Sequence, residues 1–260
     1  MSVTAFLTDS TLCIGCKACE VACKEWNQLE DDGLNFTGLS YDNTGAVGYG
    51  TWRHVKFVEH TSTTPGLGGN SPEAEPWVFS SDVCKHCEVA GCLEACPTGA
   101  IVRTEFGGVF VQPDVCNGCA YCVVSCPFGV VQRNPKEGTA FKCTFCIDRQ
   151  REDLPPACAK ACPTESIKFG EINELKLAGQ VRVEELKGRG MQDAQLYDAA
   201  DTSVKGTHAM FILRGDERQY NLPPNPVVPT EYTKVGWTSS AVAAGALLAG
   251  TLFAFLGAHR

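Results

Sequence analysis

The longest apolar stretch of the chain lies at its C-terminal end. No charged residue occurs from Val235 to Ala258, and the 22 residues from Trp237 to Ala258 would form a helix of roughly 33 Å, long enough to cross a bilayer core. So little chain follows that a protein core has nothing with which to cover it, and a membrane span is predicted over 237–258. Its small residues recur four apart, at Gly245 and Ala249, Ala246 and Gly250, Gly250 and Ala254, a spacing that admits close packing of another membrane helix. Just before it, Asn221–Pro229 carries four prolines in nine residues and is predicted to run extended, so 221–236 reads as a linker.

The remaining pattern is shorter in range. Apolar runs at Ala100–Thr104 and Val109–Gln112 flank Glu105-Phe106-Gly107-Gly108, which predicts a β-hairpin. Leu175, Val181 and Leu186 stand among charges and are closed by Gly188, which predicts an amphipathic surface helix over 171–188. Short strands are expected at Trp52–Glu59 and Phe211–Leu213. Asp31–Gly50 and Thr61–Pro76, rich in Gly, Asn, Ser, Thr and Pro, read as loops.

Composition then excludes several classes. The hydrophobic fraction of 44 % is that of a globular protein, not a disordered one. With 22 Lys and Arg against 30 Asp and Glu, no basic stripe is available to neutralise phosphates, so a nucleic-acid partner is not expected. Met1–Asp9 has neither a basic stretch nor a long apolar run, so no secretory signal is expected there. The unusual quantity is cysteine, sixteen residues of 260.

These cysteines form four motifs: Cys13, Cys16, Cys19, Cys23; Cys84, Cys87, Cys92, Cys96; Cys116, Cys119, Cys122, Cys126; and Cys143, Cys146, Cys158, Cys162. Proline follows the last cysteine at Pro97, Pro127 and Pro163, while Lys24 takes that place in the first. Pro97-Thr98-Gly99-Ala100-Ile101 also parallels Pro163-Thr164-Glu165-Ser166-Ile167, the mark of an internal duplication.

Disulfides are excluded by crowding, because eight bridges would have to be built among tight C-x2-C runs. Zinc knuckles need two C-x2-C pairs well separated, which only Cys143, Cys146 and Cys158 begin to resemble. In C-x2-C-x2-C, by contrast, one loop supplies three corners of a cubane, and the fourth cysteine, followed by Pro, serves the other cluster of a pair. Iron–sulfur clusters are therefore predicted. Pairing the adjacent second and third motifs gives one ligand set of Cys84, Cys87, Cys92 and Cys126 and another of Cys116, Cys119, Cys122 and Cys96. The first and fourth motifs are then left to each other, giving Cys13, Cys16, Cys19 with Cys162, and Cys143, Cys146, Cys158 with Cys23. Pairing the first motif with the second is the alternative. Either way sixteen thiolates serve four [4Fe-4S] clusters, and none is spare for catalysis.

The fold expected from this pairing is α+β: two ferredoxin-like bis-[4Fe-4S] units, one inserted in the other, plus a C-terminal single transmembrane helix. Residues 1–79 and 136–220 would make the split unit, 80–135 the inserted one, 221–236 the linker and 237–258 the span. Each oxidised cluster with its thiolates carries about −2, so neighbouring cations matter. Lys17, Lys24, Lys85 and Lys142 adjoin ligand cysteines, and Gly15, Gly91 and Gly118 are expected to let backbone amides approach sulfur. His86, inside a complete motif, is not expected to be a ligand. The chain has no nucleophile elbow, P-loop, zinc-protease or dinucleotide motif, and Gly66-Leu67-Gly68-Gly69 reads as a flexible turn. None of the five histidines lies within the span and His259 stands at its end, so any haem is expected in a partner.

On these residues the chain resembles the four-cluster iron–sulfur subunits of molybdenum or tungsten bis-pterin oxidoreductases. Within that family it is most similar to the beta subunits of membrane-bound formate dehydrogenases, through Cys13–Asn27, Trp52–Val55, Lys142–Arg149, Gly206–Met210 and the C-terminal span. The resemblance implies a non-catalytic relay. Formate would be oxidised in a separate bis-pterin catalytic subunit, and electrons would pass through four clusters to a cytochrome b membrane subunit and quinone. It also implies a single-pass protein of the cell membrane with its globular part on the extracytoplasmic side, exported with its catalytic partner. The same relay serving a hydrogenase or another molybdopterin oxidoreductase is the alternative. The ending at His259-Arg260 is shorter than the family leads one to expect.

Overall fold

The computed structural model describes residues 2–31, 33, 36, 38, 42–59 and 77–258. The loop expected at Thr61–Pro76, the turn at Gly66–Gly69 and the ending at His259-Arg260 lie outside them. The first part of the chain gives β1 (Thr4–Asp9), α1 (Ala18–Asn27), β2 (Arg53–Glu59) and β3 (Trp77–Val83). The middle gives α2 (Gly91–Glu94), β4 (Ile101–Arg103), β5 (Val109–Val111), α3 (Tyr121–Val124), β6 (Gln132–Arg133) and β7 (Ala140–Phe141). Then follow α4 (Ile147–Arg151), α5 (Ala157–Lys160), β8 (Ile167–Glu171), α6 (Ile172–Gly188), β9 (Ala194–Tyr197), β10 (Ala209–Arg214) and α7 (Thr233–Ala258).

The organising element is a four-stranded sheet in the order β8-β1-β10-β9. Its central pair, β1 and β10, is parallel, with Phe6 opposite Ala209, and the flanking pairs are antiparallel. Side chains alternate across a strand, so Ala5, Leu7, Met210 and Ile212 face one way and pack with Val183 and Leu186 of α6. The other face presents Phe6, Ala209, Phe211 and Leu213 to the larger core that contains the cysteine motifs. Charged α6 thus shields one face and the thiols occupy the other. The helix predicted over 171–188 is present, with the Glu171 carboxylate accepting from the Glu174 N–H at 2.9 Å as its N-cap.

The predicted hairpin is β4–β5, with Ile101 opposite Val111 and the Thr104 N–H donating to the Gly108 carbonyl at 2.7 Å. The strand predicted at Trp52–Glu59 pairs as β2 with β3, and the one at Phe211–Leu213 is the middle of β10. Asn221–Val228 contains no α-helix. The chain then closes into a 3-10 turn at Pro229–Tyr232 and enters α7 four residues ahead of the expected start of the span. Thr233 to Gly236 offer no barrier to extending the helix, since the prolines all precede them. Helix α7 is long and apolar enough to cross a membrane and none of its apolar window is buried in the protein.

Candidate functional site

Proline decides how each cysteine helix ends. Helices α2, α3 and α5 are single turns of four residues, and each stops just before a Cys-Pro pair. The ring supplies no N–H, and the residue before it is pushed out of the helical region. After each pair the chain turns through a residue at positive φ, Gly99 (68°), Gly129 (64°) or Glu165 (53°). In the first motif Lys24 replaces the proline, and α1 runs on for ten residues. The first and third motifs also share a loop path: Gly15 and Lys17 have φ of 67° and 59°, and Gly118 and Ala120 have 72° and 64°. Two left-handed residues curl each loop back on itself, so that one tight segment carries three thiols.

Of the glycines expected to admit amides to sulfur, Gly15 does so, its N–H donating to Cys13. For Gly91 the structure gives a different reason. A Cβ there would lie 2.5 Å from the Ser125 carbonyl, because α2 of the second motif packs on the end of α3 of the third. Gly91→Ala is therefore expected to prise the two motifs apart although its backbone angles suit alanine. Iron content of the purified protein checks this, with loss centred on the group that joins Cys92 to Cys126.

All sixteen cysteines are free thiols. Their electrostatic neighbours fall into four groups. Cys13 lies beside Cys162 and Cys16, and these three with Cys19, Val55 and Ser81 line one small hollow. Cys23 faces Cys143, Cys158 and Cys146. Cys87 faces Cys84, Cys126 and Cys92. Cys122 faces Cys116, Cys119 and Cys96. Neighbouring groups adjoin in sequence, through Cys19 and Cys158, Cys143 and Cys84, and Cys92 and Cys122. Among the described residues no three His, Cys, Asp or Glu side chains converge to hold a single metal ion.

Burial is the main influence on these thiols. It pushes Cys19 and Cys122 up to about 11 and Cys92 and Cys146 up to about 12, from an ordinary 9.0. Cys23, Cys87 and Cys143 are pushed well up too. Cys96 goes the other way: burial raises it, but the Thr98 hydroxyl and the N–H groups of Ile101, Thr98 and Ala100 bring it below the usual value. Other N–H donors reach sulfur from Ala140 to Cys116 and from Phe145 to Cys143, both at 3.4 Å. Such bonds tune cluster potentials. The raised thiols give a sign for the iron-depleted chain. Above the ordinary thiol value the unfolded chain has lost protons that the buried thiols still hold, so stability falls as pH rises. The denaturation midpoint is expected to drop between about pH 8 and about pH 10; an equal midpoint contradicts the burial.

The lysines singled out in the sequence part company. Lys17 pairs with Asp42 at 3.0 Å, and Lys24 donates to the Gly50 carbonyl at 2.7 Å. Lys85, buried, pairs with Asp82. Lys142, also buried, donates to Cys84 Sγ at 3.6 Å and to the Val109 and Cys143 carbonyls. Burial opposes its charge, but Cys84, Cys92 and Cys143 outweigh that and raise its pKa. His86 is buried; its Nδ1 accepts from the Val109 N–H at 3.0 Å and its ring lies over Phe145. A further buried cation, Arg53, stands among Cys158, Cys19, Cys143 and Cys23. Its stretch, Trp52–Val55, carries part of the resemblance, but no nearby cysteine along the chain assigns Arg53 to a cluster.

An all-thiol donor set, grouped in fours and packed on one face of a small α+β core, defines an iron–sulfur electron carrier. Models of the 4Fe-4S dicluster domain match residues 12–100 and 75–172. The chain is 38 % identical over 260 residues to the formate dehydrogenase-O iron-sulfur subunit of Escherichia coli, covering 97 % of this chain and 83 % of that one. It is 39 % identical over 234 residues to the formate dehydrogenase iron-sulfur subunit of Haemophilus influenzae, covering 88 % and 71 %. It is also 36 % identical over 171 residues to the B subunit of the anaerobic dimethyl sulfoxide reductase of Escherichia coli, covering 66 % and 75 %. This protein belongs to the family of formate dehydrogenase iron-sulfur subunits. It is a non-catalytic electron-transfer subunit that binds 4Fe-4S clusters and works in an oxidoreductase complex with a catalytic subunit.

Proposed function

We propose that the protein holds four [4Fe-4S] clusters and relays electrons from a molybdenum or tungsten bis-pterin formate dehydrogenase subunit to a membrane cytochrome b and quinone. The ligand sets are Cys13, Cys16, Cys19, Cys162; Cys143, Cys146, Cys158, Cys23; Cys84, Cys87, Cys92, Cys126; and Cys116, Cys119, Cys122, Cys96. The observation that carries the reading is the succession of thiol groups, each beside the next, with an exposed thiol at either end, Cys16 and Cys119. The clusters supply one-electron redox steps; the protein buries them, donates N–H groups to their sulfur and sets cations between them. In this reading residues 80–135 form a ferredoxin-like unit inserted in another built from 1–79 and 136–220, with 221–236 as linker and 237–258 as the span.

The root of the span supports one direction of flow. Thr230 Oγ1 donates to Glu94, and Val228 and Pro229 abut Gly91, so α7 springs from the second motif. Electrons would leave for the membrane from the group containing Cys119 and arrive at the group containing Cys16. The globular part would lie outside the cytoplasm with its catalytic partner. A dimethyl sulfoxide reductase relay is the second reading, but that match covers 171 residues where the formate dehydrogenase match covers 260.

The test is to capture the complex anaerobically through a tag on this subunit and follow the electron paramagnetic resonance of its clusters on adding formate. Reduction by formate with a large pterin subunit present supports the proposal. Failure with formate and reduction by hydrogen or another donor would assign the relay to a different enzyme.

A further inference from the structure

Arg53 is 1 % exposed, and its hydrogen bonding is incomplete. Nη1 donates to the Ser81 carbonyl at 3.3 Å and to Ser81 Oγ at 3.1 Å, and the guanidinium lies 4.7 Å over the Phe6 ring. Its Nε and Nη2, both buried, have no partner. Lys142, the other buried cation among the thiols, uses its donors on the Val109 and Cys143 carbonyls and on Cys84 Sγ. A permanent charge with two idle nitrogens, three N–H donors in all, is not buried without compensation. The groups whose ionised forms would compensate Arg53 are Cys158, Cys19, Cys143 and Cys23, and these come from two different sets. Ser81 ties the arrangement together, because its Oγ also lies 3.2 Å from Cys19 Sγ.

We infer that Arg53 is a bridging cation of the relay, its Nε and Nη2 donating to sulfur of the two clusters on either side, those of Cys13, Cys16, Cys19, Cys162 and of Cys23, Cys143, Cys146, Cys158. This rests on the cluster assignment proposed above. A fixed positive charge between two anionic centres stabilises the reduced state of both. β2 and the Phe6 ring hold the fork, and Ser81 fixes which nitrogens remain to donate.

The experiment uses the whole complex with Arg53→Met and Arg53→Lys. Iron and acid-labile sulfide are measured first; wild-type complex lacking clusters would sink the cluster assignment itself, separately from this inference. In Arg53→Met, redox titration followed by electron paramagnetic resonance is expected to show two clusters harder to reduce by at least tenfold in the equilibrium, about 59 mV for one electron, with the other two moving far less. Arg53→Lys is expected to recover most of that shift. Pulsed resonance on wild-type complex grown with 15N-arginine is expected to show nitrogen coupling to a reduced cluster, and Arg53→Lys to abolish it. Unmoved potentials at full iron content, or an equal shift of all four, overturn the inference. If Arg53→Met fails to assemble, absence of the 15N coupling in wild type overturns it.

Discussion

A complex carrying Cys119→Ser is expected to keep most of its formate-reducible signal and to lose quinone reduction. Cys119 is exposed and sits in the group with Cys116, Cys122 and Cys96, which the proposed order of the relay puts on the membrane side. Serine is a poor substitute for a thiolate on iron, so that one cluster is lost and iron falls by about a quarter. The three groups nearer Cys16 share no ligand with it, and their signals should still respond to formate. Cys16→Ser gives the mirror result: formate reduces little, although a small reductant supplied in solution still reaches the remaining clusters. Iron analysis and formate-driven quinone reduction, measured on both variants, check the pair. Undiminished iron and undiminished quinone reduction in Cys119→Ser count against the ligand set, and an exchange of the two phenotypes reverses the direction of flow.

Removing residues 233–260 is expected to release an iron-replete protein from the membrane. The described side chains of α7 are exposed, among them Trp237, Leu247, Leu248, Phe253 and Phe255. Each large apolar side chain left in water instead of buried costs about 1.5–3 kcal/mol, and a contiguous surface of this kind marks an interaction site. The globular core does not depend on it. Val228, Leu222 and Tyr220 are core members, and no residue of α7 is. The truncated chain should therefore fractionate as a soluble brown protein with normal iron and no quinone reduction. Sedimentation with membranes as before would mean that another surface makes the attachment.

Local features were legible in the residue order. The β4–β5 hairpin, α6 and the apolar α7 declare themselves through runs of neighbouring residues. So does the Pro that ends α2, α3 and α5, because its effect is confined to one turn. Strand β1 is the instructive omission. Its apolar residues Ala5, Phe6 and Leu7 are too few to show a period, and it is a strand because β8 and β10, more than 150 residues away, pair with it. The reason for Gly91 is hidden for the same cause: the carbonyl it must avoid belongs to Ser125 of another motif.

By itself the sequence determined the chemistry. Tight C-x2-C loops bring thiols together whatever surrounds them, and their number and spacing select iron–sulfur clusters over zinc or disulfides. The tertiary structure decided which thiols stand side by side, which two remain exposed, and which cations lie between them. Those outcomes depend on strands and helices from distant parts of the chain closing on one core. The role of Arg53 is not readable from its own stretch of sequence, because a buried charge is defined by what encloses it, and here that enclosure is assembled from Phe6, Ser81 and the cysteines of the first and fourth motifs.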